Sequence, residues 1–148
     1  MKTNLIKISV LFFFTIITQT VAADRDRPVS VEQLPGKAIQ FIKTHFTDEK
    51  ISFAKMDSDW FEKKYEVFFT NGNKLEFDGK GNRIEVDCKY SKMPDGIVPA
   101  PIQQYVKTHF PDHRIEKITF EERRYEVELN GDIDIEFNTR FKVVDFDS

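Results

Sequence analysis

The chain has 148 residues, 40% of them hydrophobic, and carries 25 acidic against 22 basic side chains, a formal net charge of −3. A chain of this length can bury one compact core. Its mild acidity argues against nucleic acid as a partner, because such binding depends on lysine and arginine side chains that neutralise phosphates. The same acidity argues, more weakly, against anionic membrane surfaces.

Residues 1–23 have the pattern of a secretory signal peptide. Lys2 and Lys7 accompany an apolar run that extends to Ile17, and the stretch TQTVAA ends at Ala23. A charged start, a short apolar region and an A-x-A-like cleavage site are the parts of such a signal. A membrane anchor is the alternative, but the run is shorter than the ~20 residues needed to span a bilayer. We expect cleavage to change the formal charge to −5, because two lysines and no acids are lost, and to leave a periplasmic or secreted protein without a membrane anchor.

Two nearly identical octamers stand 64 residues apart, FIKTHFTD from Phe41 to Asp48 and YVKTHFPD from Tyr105 to Asp112. Each closes a segment with apolar residues at helical spacing, and Pro111 ends the second helix. After each helix the apolar period changes to two, which predicts strands joined by tight turns such as NG. The similarity extends on both sides of the octamers, which predicts a tandem repeat.

The pattern predicts an α+β fold of two tandem α-β-β-β-β repeats. Each strand alternates apolar with charged residues, so we expect an antiparallel sheet with helices on one face and the other face open. The predicted boundaries are a signal peptide at 1–23, an N-terminal extension at 24–33, the first repeat at 34–88, a connector rich in proline at 89–97 and the second repeat at 98–148.

The helices with LP or VP at their start, the segment YEVFFTNGNKLEFDGKGNRIEVDC and the later YEVELNGDIDIEF resemble the PepSY-like, beta-lactamase-inhibitor-like family of Gram-negative gut bacteria. The resemblance covers Leu34 to Ser148. It implies a periplasmic or secreted non-enzymatic module, related to the PepSY domains of peptidase propeptides and to an inhibitor protein that grips beta-lactamase with its open sheet face. It supplies no catalytic residues. Arg83 departs from the pattern, because an aromatic residue is usual there.

The histidines and the single cysteine have structural interpretations. His45 and His109 each fall in a last helical turn, where an imidazole can bond free carbonyls and favour the negative end of the helix dipole. A metal site would need three or four converging ligands, and only His113 remains as a further imidazole. We therefore predict no metal, no cofactor and no catalytic residues. Cys88 lies in register with the apolar face of a strand, which favours a buried thiol over an intermolecular disulfide or a reactive thiol.

The charged strand positions provide the candidate binding residues. Glu66, Glu126 and Glu128 are expected on the open face, either as an ordinary solvated surface or as a surface that recognises a basic partner. Phe68 is an apolar residue at a position of that charged face, and Trp60 lies in the longer hairpin. Both residues could anchor a partner, or fold back over the protein. We therefore predict an exported, non-enzymatic module that binds an unknown protein partner. One form of this prediction is an inhibitor of a periplasmic or secreted enzyme.

The alternative function is binding of a small ligand or a cation by the acidic face. The segment DGKGN, from Asp78 to Asn82, also raises that alternative. It lacks the ligand spacing of a calcium-binding hand, however, and is expected to form a turn.

Overall fold

The structure is a computed structural model that describes residues 26–58 and 62–148. The predicted signal peptide and Trp60 lie outside the described residues. The described chain contains two α-helices, α1 (Gly36–His45) and α2 (Ala100–His109). Its strands are β1 (Arg27–Val29), β2 (Ile51–Ser58), β3 (Lys63–Phe69), β4 (Lys74–Asp78), β5 (Arg83–Asp87), β6 (Ile115–Glu121), β7 (Arg124–Leu129), β8 (Ile133–Asn138) and β9 (Val143–Asp147).

Both helices begin after a proline, Pro35 or Pro99, and end where the chain must turn into a strand. The backbone N–H of Phe110 donates to the carbonyl of Val106 at 2.7 Å, and that of Phe46 donates to Ile42 at 2.8 Å. Pro111 cannot continue the helical hydrogen bonding, so α2 stops at the predicted place. The two predicted helices are thus confirmed.

The nine strands form one continuous antiparallel sheet in chain order, from β1 to β9. This finding corrects the predicted fold class. The molecule is mostly a single sheet with two short helices, and the predicted α+β fold of two tandem α-β-β-β-β repeats is wrong. Strand β5 pairs directly with β6 through Glu85–Thr119, Val86–Ile118 and Asp87–Lys117. Pairing satisfies backbone groups that two separate sheets would leave at exposed edges, which local sequence periodicity does not encode.

The core lies between the helices and one face of this sheet. Ala38 and Ile42 of α1 belong to the same buried cluster as Ile102 and Val106 of α2. The ring of Phe41 meets that of Phe77 edge-on at 5.8 Å, and Tyr105 meets Phe137 in the same way at 5.4 Å. Full burial of a phenylalanine of this kind contributes roughly 1.5–3 kcal/mol. The helices therefore cover the same side of the sheet, and no described helix covers the other side.

No helix within the described ranges is long and apolar enough to cross a membrane.

Candidate docking surface on the open face of the sheet

The uncovered side of the sheet, called here the open face, carries the side chains that alternate with the core. On β3, for example, Glu66 and Phe68 lie on the open face, whereas Val67 and Phe69 are buried. Successive side chains of a strand point to opposite sides, so one buried face leaves a second, mostly polar one. The open face includes Lys55, Lys64, Glu66, Phe68, Lys74, Glu76, Glu85, Lys117, Glu126, Glu128, Asp134 and Glu136.

Over β2 to β5 the open face is a lattice of alternating charges. The Nζ atom of Lys55 lies 2.7 Å from Oε2 of Glu66, and the Nζ atom of Lys74 lies 3.7 Å from Oε1 of the same carboxylate. Lys74 also lies 2.8 Å from Glu85. Glu66 is therefore held between two lysines and is not an isolated negative charge. Like-charged cross-strand neighbours would otherwise destabilise the sheet.

The lysines of this lattice are stabilised in their charged form. Hydrogen bonds to Asp26 and Glu66 raise the pKa of Lys55. Partial burial alone would lower the pKa of Lys74, but its hydrogen bond to Glu85 and the charges of Glu85 and Glu66 outweigh that effect and raise it. Both lysines are thus held in their charged form at neutral pH.

Two phenylalanines form an apolar patch at one end of the open face. The rings of Phe53 and Phe68 are stacked, with centroids 4.4 Å apart and planes inclined by 13°. Phe53 is 53% exposed, and Phe68 is half-buried beneath it. Sequence reasoning identified Phe68 but missed Phe53. The signal was present, because Ala54 and Met56 carry the buried period of β2 and leave Phe53 out of phase with it.

Over β7 to β9 the open face is strongly acidic. The register places Glu126, Glu136 and Asp145 opposite one another in one row across the three strands. Glu128, Asp134 and Asp147 form a second row. Among described residues, Lys117 pairs with Glu128 at 2.5 Å, and Arg124 pairs with Glu136.

The predicted site residues therefore fall into two regions. Glu126 and Glu128 lie together on β7, whereas Glu66 and Phe68 lie on β3. Four strand spacings separate β3 from β7, or about 19 Å at ~4.8 Å per strand. Trp60 lies outside the described residues. An open face of this extent suits a macromolecular surface better than a small molecule.

The repeated histidine completes the C-terminal turn of α2. The Nδ1 atom of His109 lies 2.9 Å from the carbonyl oxygen of Tyr105, and the two rings are stacked at 4.1 Å. A carbonyl can only accept a hydrogen bond, so Nδ1 carries the proton and donates it. The structural interpretation is confirmed for His109. Within the described ranges, no three His, Cys, Asp or Glu side chains are grouped to hold a metal ion.

The thiol of Cys88 is fully buried and free, as its place in the strand pattern predicts. Burial raises the pKa of Cys88 to about 12, and the nearby carboxylate of Glu49 acts in the same direction. A nucleophilic or metal-binding cysteine needs the thiolate, which this environment disfavours.

The segment from Asp78 to Asn82 forms a turn, as predicted. The carboxylate of Asp78 accepts hydrogen bonds from the backbone N–H groups of Lys80 and Asn82, both at 2.8 Å. Burial alone would raise the pKa of Asp78, but its hydrogen bonds with Asn82 and Lys80 outweigh that effect and lower it. The carboxylate is thus used to organise the turn.

Arg83 lies on the helix side of the sheet. Its guanidinium carbon is 5.9 Å from the centre of the Phe41 ring, and Nη1 donates to the carbonyl of Ile97 at 2.9 Å. Arginine commonly stacks on aromatic faces in this way. The residue links α1 to the segment before α2, so it is not part of the charged open face.

Three solved structures that are similar to this chain come from Bacteroides species. A protein from Bacteroides vulgatus, described as a putative periplasmic protein of the DUF2874 family, is 51% identical over 85% of this chain and 99% of its own, with a TM-score of 0.81. A putative calcium-regulated periplasmic protein from Bacteroides thetaiotaomicron is 50% identical over 85% of this chain and 99% of its own, with a TM-score of 0.82. A second B. vulgatus protein, a putative periplasmic protein of unknown function, is 29% identical over 83% of this chain and 99% of its own, with a TM-score of 0.78.

Curated proteins give no match to the chain. The family model described as "Putative beta-lactamase-inhibitor-like, PepSY-like" matches residues 63–145, which is more than half of the sequence and covers β3 through most of β9. The chain therefore belongs to the PepSY-like, beta-lactamase-inhibitor-like family.

Proposed function

We propose that this protein is an exported, non-enzymatic module that binds another protein through the open face of its sheet. The observation that carries the proposal is the stacked pair of Phe53 and Phe68, an exposed apolar patch bordered by Lys55, Glu66 and Lys74. Apolar anchors within a polar rim are the usual anatomy of protein interfaces. The periplasmic descriptions of similar structures support the export that the N-terminal sequence predicts.

The two regions of the open face would have different roles. The aromatic pair would supply an anchor, because large rings that become fully desolvated dominate binding energy. The acidic rows on β7 to β9, with Glu126 and Glu128, would attract a basic partner surface and set its orientation. Over β2 to β5 the carboxylates are already paired with lysines, so that region favours a partner of mixed charge.

A photo-crosslinking experiment tests where a partner docks. A benzophenone-bearing phenylalanine analogue would replace Phe53, and in a matched variant it would replace Phe146. Phe146 is 48% exposed but stacks on Phe110 of the helix side. After irradiation in a periplasmic extract of Bacteroides cells, we expect a discrete adduct from position 53 and none from position 146. Adducts from position 146 alone would contradict docking on the open face.

Affinity measurements with the crosslinked partner then test the anchors. Truncating Phe53, Phe68 or Trp60 to alanine is expected to weaken binding by about 1–3 kcal/mol for each residue that acts as a hot spot. Phe146→Ala is the control and should leave affinity unchanged. Replacing Glu126 and Glu128 with lysine should slow association and alter its salt dependence. Unchanged affinity in every open-face variant, with unfolding midpoints equal to the parent, would refute the proposal.

A more specific form of this proposal is that the partner is an enzyme and that binding inhibits it. The family description supports this form. If the partner is a beta-lactamase, stoichiometric amounts of the protein should reduce hydrolysis of a chromogenic cephalosporin, and Phe53→Ala should restore it. A partner that binds without loss of activity would limit the function to binding.

A calcium-responsive function is the second candidate. One similar structure, 50% identical to this chain, is described as calcium-regulated. The facing carboxylates of β7 to β9 are the acidic region that could respond, although the described residues contain no group of three arranged as metal ligands. Calorimetric titration with Ca²⁺, with Mg²⁺ as control, would support this function if Ca²⁺ alone gave a micromolar affinity that Glu126→Gln and Asp145→Asn weaken. Flat heats would contradict it.

A further inference from the structure

A cleft of about 530 Å³ lies on the helix side of the molecule, between the connector and α2. Pockets for small ligands commonly measure ~300–1,000 Å³. We call it the connector cleft; its walls come from the connector, from α2 and from the chain entering β6. It is lined by Lys89, Tyr90, Ser91, Lys92, Met93, Asp95, Gln103, Val106, Lys107, Pro111, His113, Arg114 and Ile115.

The lining of the connector cleft is basic, although the chain as a whole is acidic. Two of its cations already have partners, since Arg114 pairs with Glu116 and Lys92 lies 3.5 Å from Asp95. Lys89 and Lys107 make no ion pair with any described residue. Two exposed lysines that line a concave, partly apolar site create a local positive potential that favours an anion.

The connector is held in place around this cleft. The buried amide of Asn73 donates to the hydroxyl of Ser91 at 2.7 Å, and Arg114 donates to the carbonyl of Lys89 at 3.0 Å. The ring of Tyr90 lies against Gly72, where an added Cβ would stand 2.7 Å from its Cδ2 atom. Tyr90 nevertheless remains 71% exposed. An aromatic ring that is positioned but not buried is available to a ligand.

The remaining lining adds an apolar surface and a polar donor. Val106, Met93 and Ile115 provide the apolar part, and Gln103 provides an amide. Ligand sites commonly combine a mainly apolar lining with a few polar groups that fix orientation. A ligand with one charged end and one apolar end would match this distribution.

We propose that the connector cleft binds a small organic anion in which a carboxylate or a phosphate is attached to an aromatic or apolar body. Lys89 and Lys107 attract the anionic group, and Tyr90 with the apolar lining contacts the body. This site is on the opposite side of the sheet from the proposed protein-docking surface, and it does not depend on that function.

Nuclear magnetic resonance titration of the ¹⁵N-labelled protein tests the proposal, with phenyl phosphate and benzoate as probes. We expect saturable shifts of backbone amides in residues 89–93, 107 and 114, with dissociation constants of about 1 mM or below. Inorganic phosphate lacks the apolar body and benzyl alcohol lacks the charge, so each should bind at least about fivefold more weakly. The two anionic probes show whether phosphate or carboxylate is preferred.

Variants at exposed positions separate this site from general anion binding. Lys89→Gln and Lys107→Gln should each weaken phenyl phosphate binding by about fivefold. Tyr90→Ala should weaken it by a similar factor, because the contact with the phenyl ring of the ligand is lost. Lys43→Gln is the matched control, because Lys43 holds in α1 the octamer position that Lys107 holds in α2 and lies outside the cleft. Shifts that fail to saturate at about 10 mM, or equal losses in the Lys43 variant, would overturn the proposal.

Discussion

At the residue scale, a position where two backbone segments approach each other closely does not tolerate a larger side chain. The turn between β4 and β5 packs against the start of α1, and Lys37 of that helix donates to the side-chain oxygen of Asn82 at 3.1 Å. Gly81 has a φ of +82°, and a Cβ added there would lie 2.8 Å from the Cβ of Pro35 and 3.0 Å from the nitrogen of Ala38. A glycine is therefore required here for both its conformation and its size.

We expect Gly81→Ala to lower the free energy of unfolding by about 1–3 kcal/mol, because it adds both backbone strain and a steric clash. Gly36→Ala is the matched control: nothing lies within 4 Å of its added Cβ, and alanine favours the helix that begins there. The control should be neutral or stabilising by up to about 1 kcal/mol. Urea unfolding curves measure both values, and equal effects of the two substitutions would contradict this account.

The buried thiol predicts a pH dependence of stability. The pKa of Cys88 is about 12 in the folded protein, against an ordinary value of 9.0. Between these values only the unfolded chain loses the proton, so stability is intact below pH 9 and falls as the pH rises towards 12. Cys88 should contribute a slope approaching about 1.4 kcal/mol per pH unit. Cys88→Ala should lack this component, as urea unfolding at pH 8, 9, 10 and 11 would measure; identical slopes in the two proteins would contradict the assignment.

At the scale of the secondary-structure elements, the charge lattice joins the strands β2 to β5 on the open face. Lys74 lies between the carboxylates of Glu66 and Glu85, with 26% of its side chain exposed. Its removal would leave the carboxylates of Glu66 and Glu85, which lie on either side of Glu76 in one row across the sheet, less well neutralised. The ion pair of Lys92 and Asp95, by contrast, is almost fully exposed, and such pairs contribute little.

We therefore expect Lys74→Met to lower the free energy of unfolding by about 1–2 kcal/mol at low ionic strength, and by less in 1 M salt. Lys92→Met should change it by less than about 0.5 kcal/mol. Chemical unfolding of both variants at two salt concentrations provides the measurement. A salt-independent loss for Lys74→Met would mean that its apolar stem, and not its charge, stabilises the sheet.

Sequence periodicity predicted the elements better than their assembly. Alternation along β5 placed Cys88 in the core, and the prolines indicated where α2 begins and ends. The continuity of the sheet was not predictable in the same way, because the pairing of Val86 with Ile118 joins residues that are far apart in sequence. Alternation alone also does not place Arg83 on the helix side, because it lies next to a bulge between β4 and β5, where one extra residue changes the side of the strand that a side chain occupies.

At the scale of the whole molecule, the β5–β6 pairing makes the nine strands one structural unit. Ile118 is 1% exposed, lies opposite Val86 at this junction, and belongs to the buried cluster that contains residues from both helices. A cavity at this position should therefore lower the stability of both halves of the sheet, β1 to β5 and β6 to β9. An exposed residue at the edge, such as Val144 on β9, should affect only its surroundings.

Native-state hydrogen exchange can test this cooperativity through slowly exchanging amides in each half of the sheet. Val67 and Leu75 report on β1 to β5, and Val127 and Ile135 report on β6 to β9. We expect Ile118→Ala to lower the opening free energy of both sets by the same amount, about 2–5 kcal/mol, because global unfolding exposes them together. Val144→Ala is the control and should leave both sets within about 0.5 kcal/mol of the parent. A loss of protection confined to Val127 and Ile135 would mean that the two halves of the sheet open independently, although the β5–β6 pairing connects them.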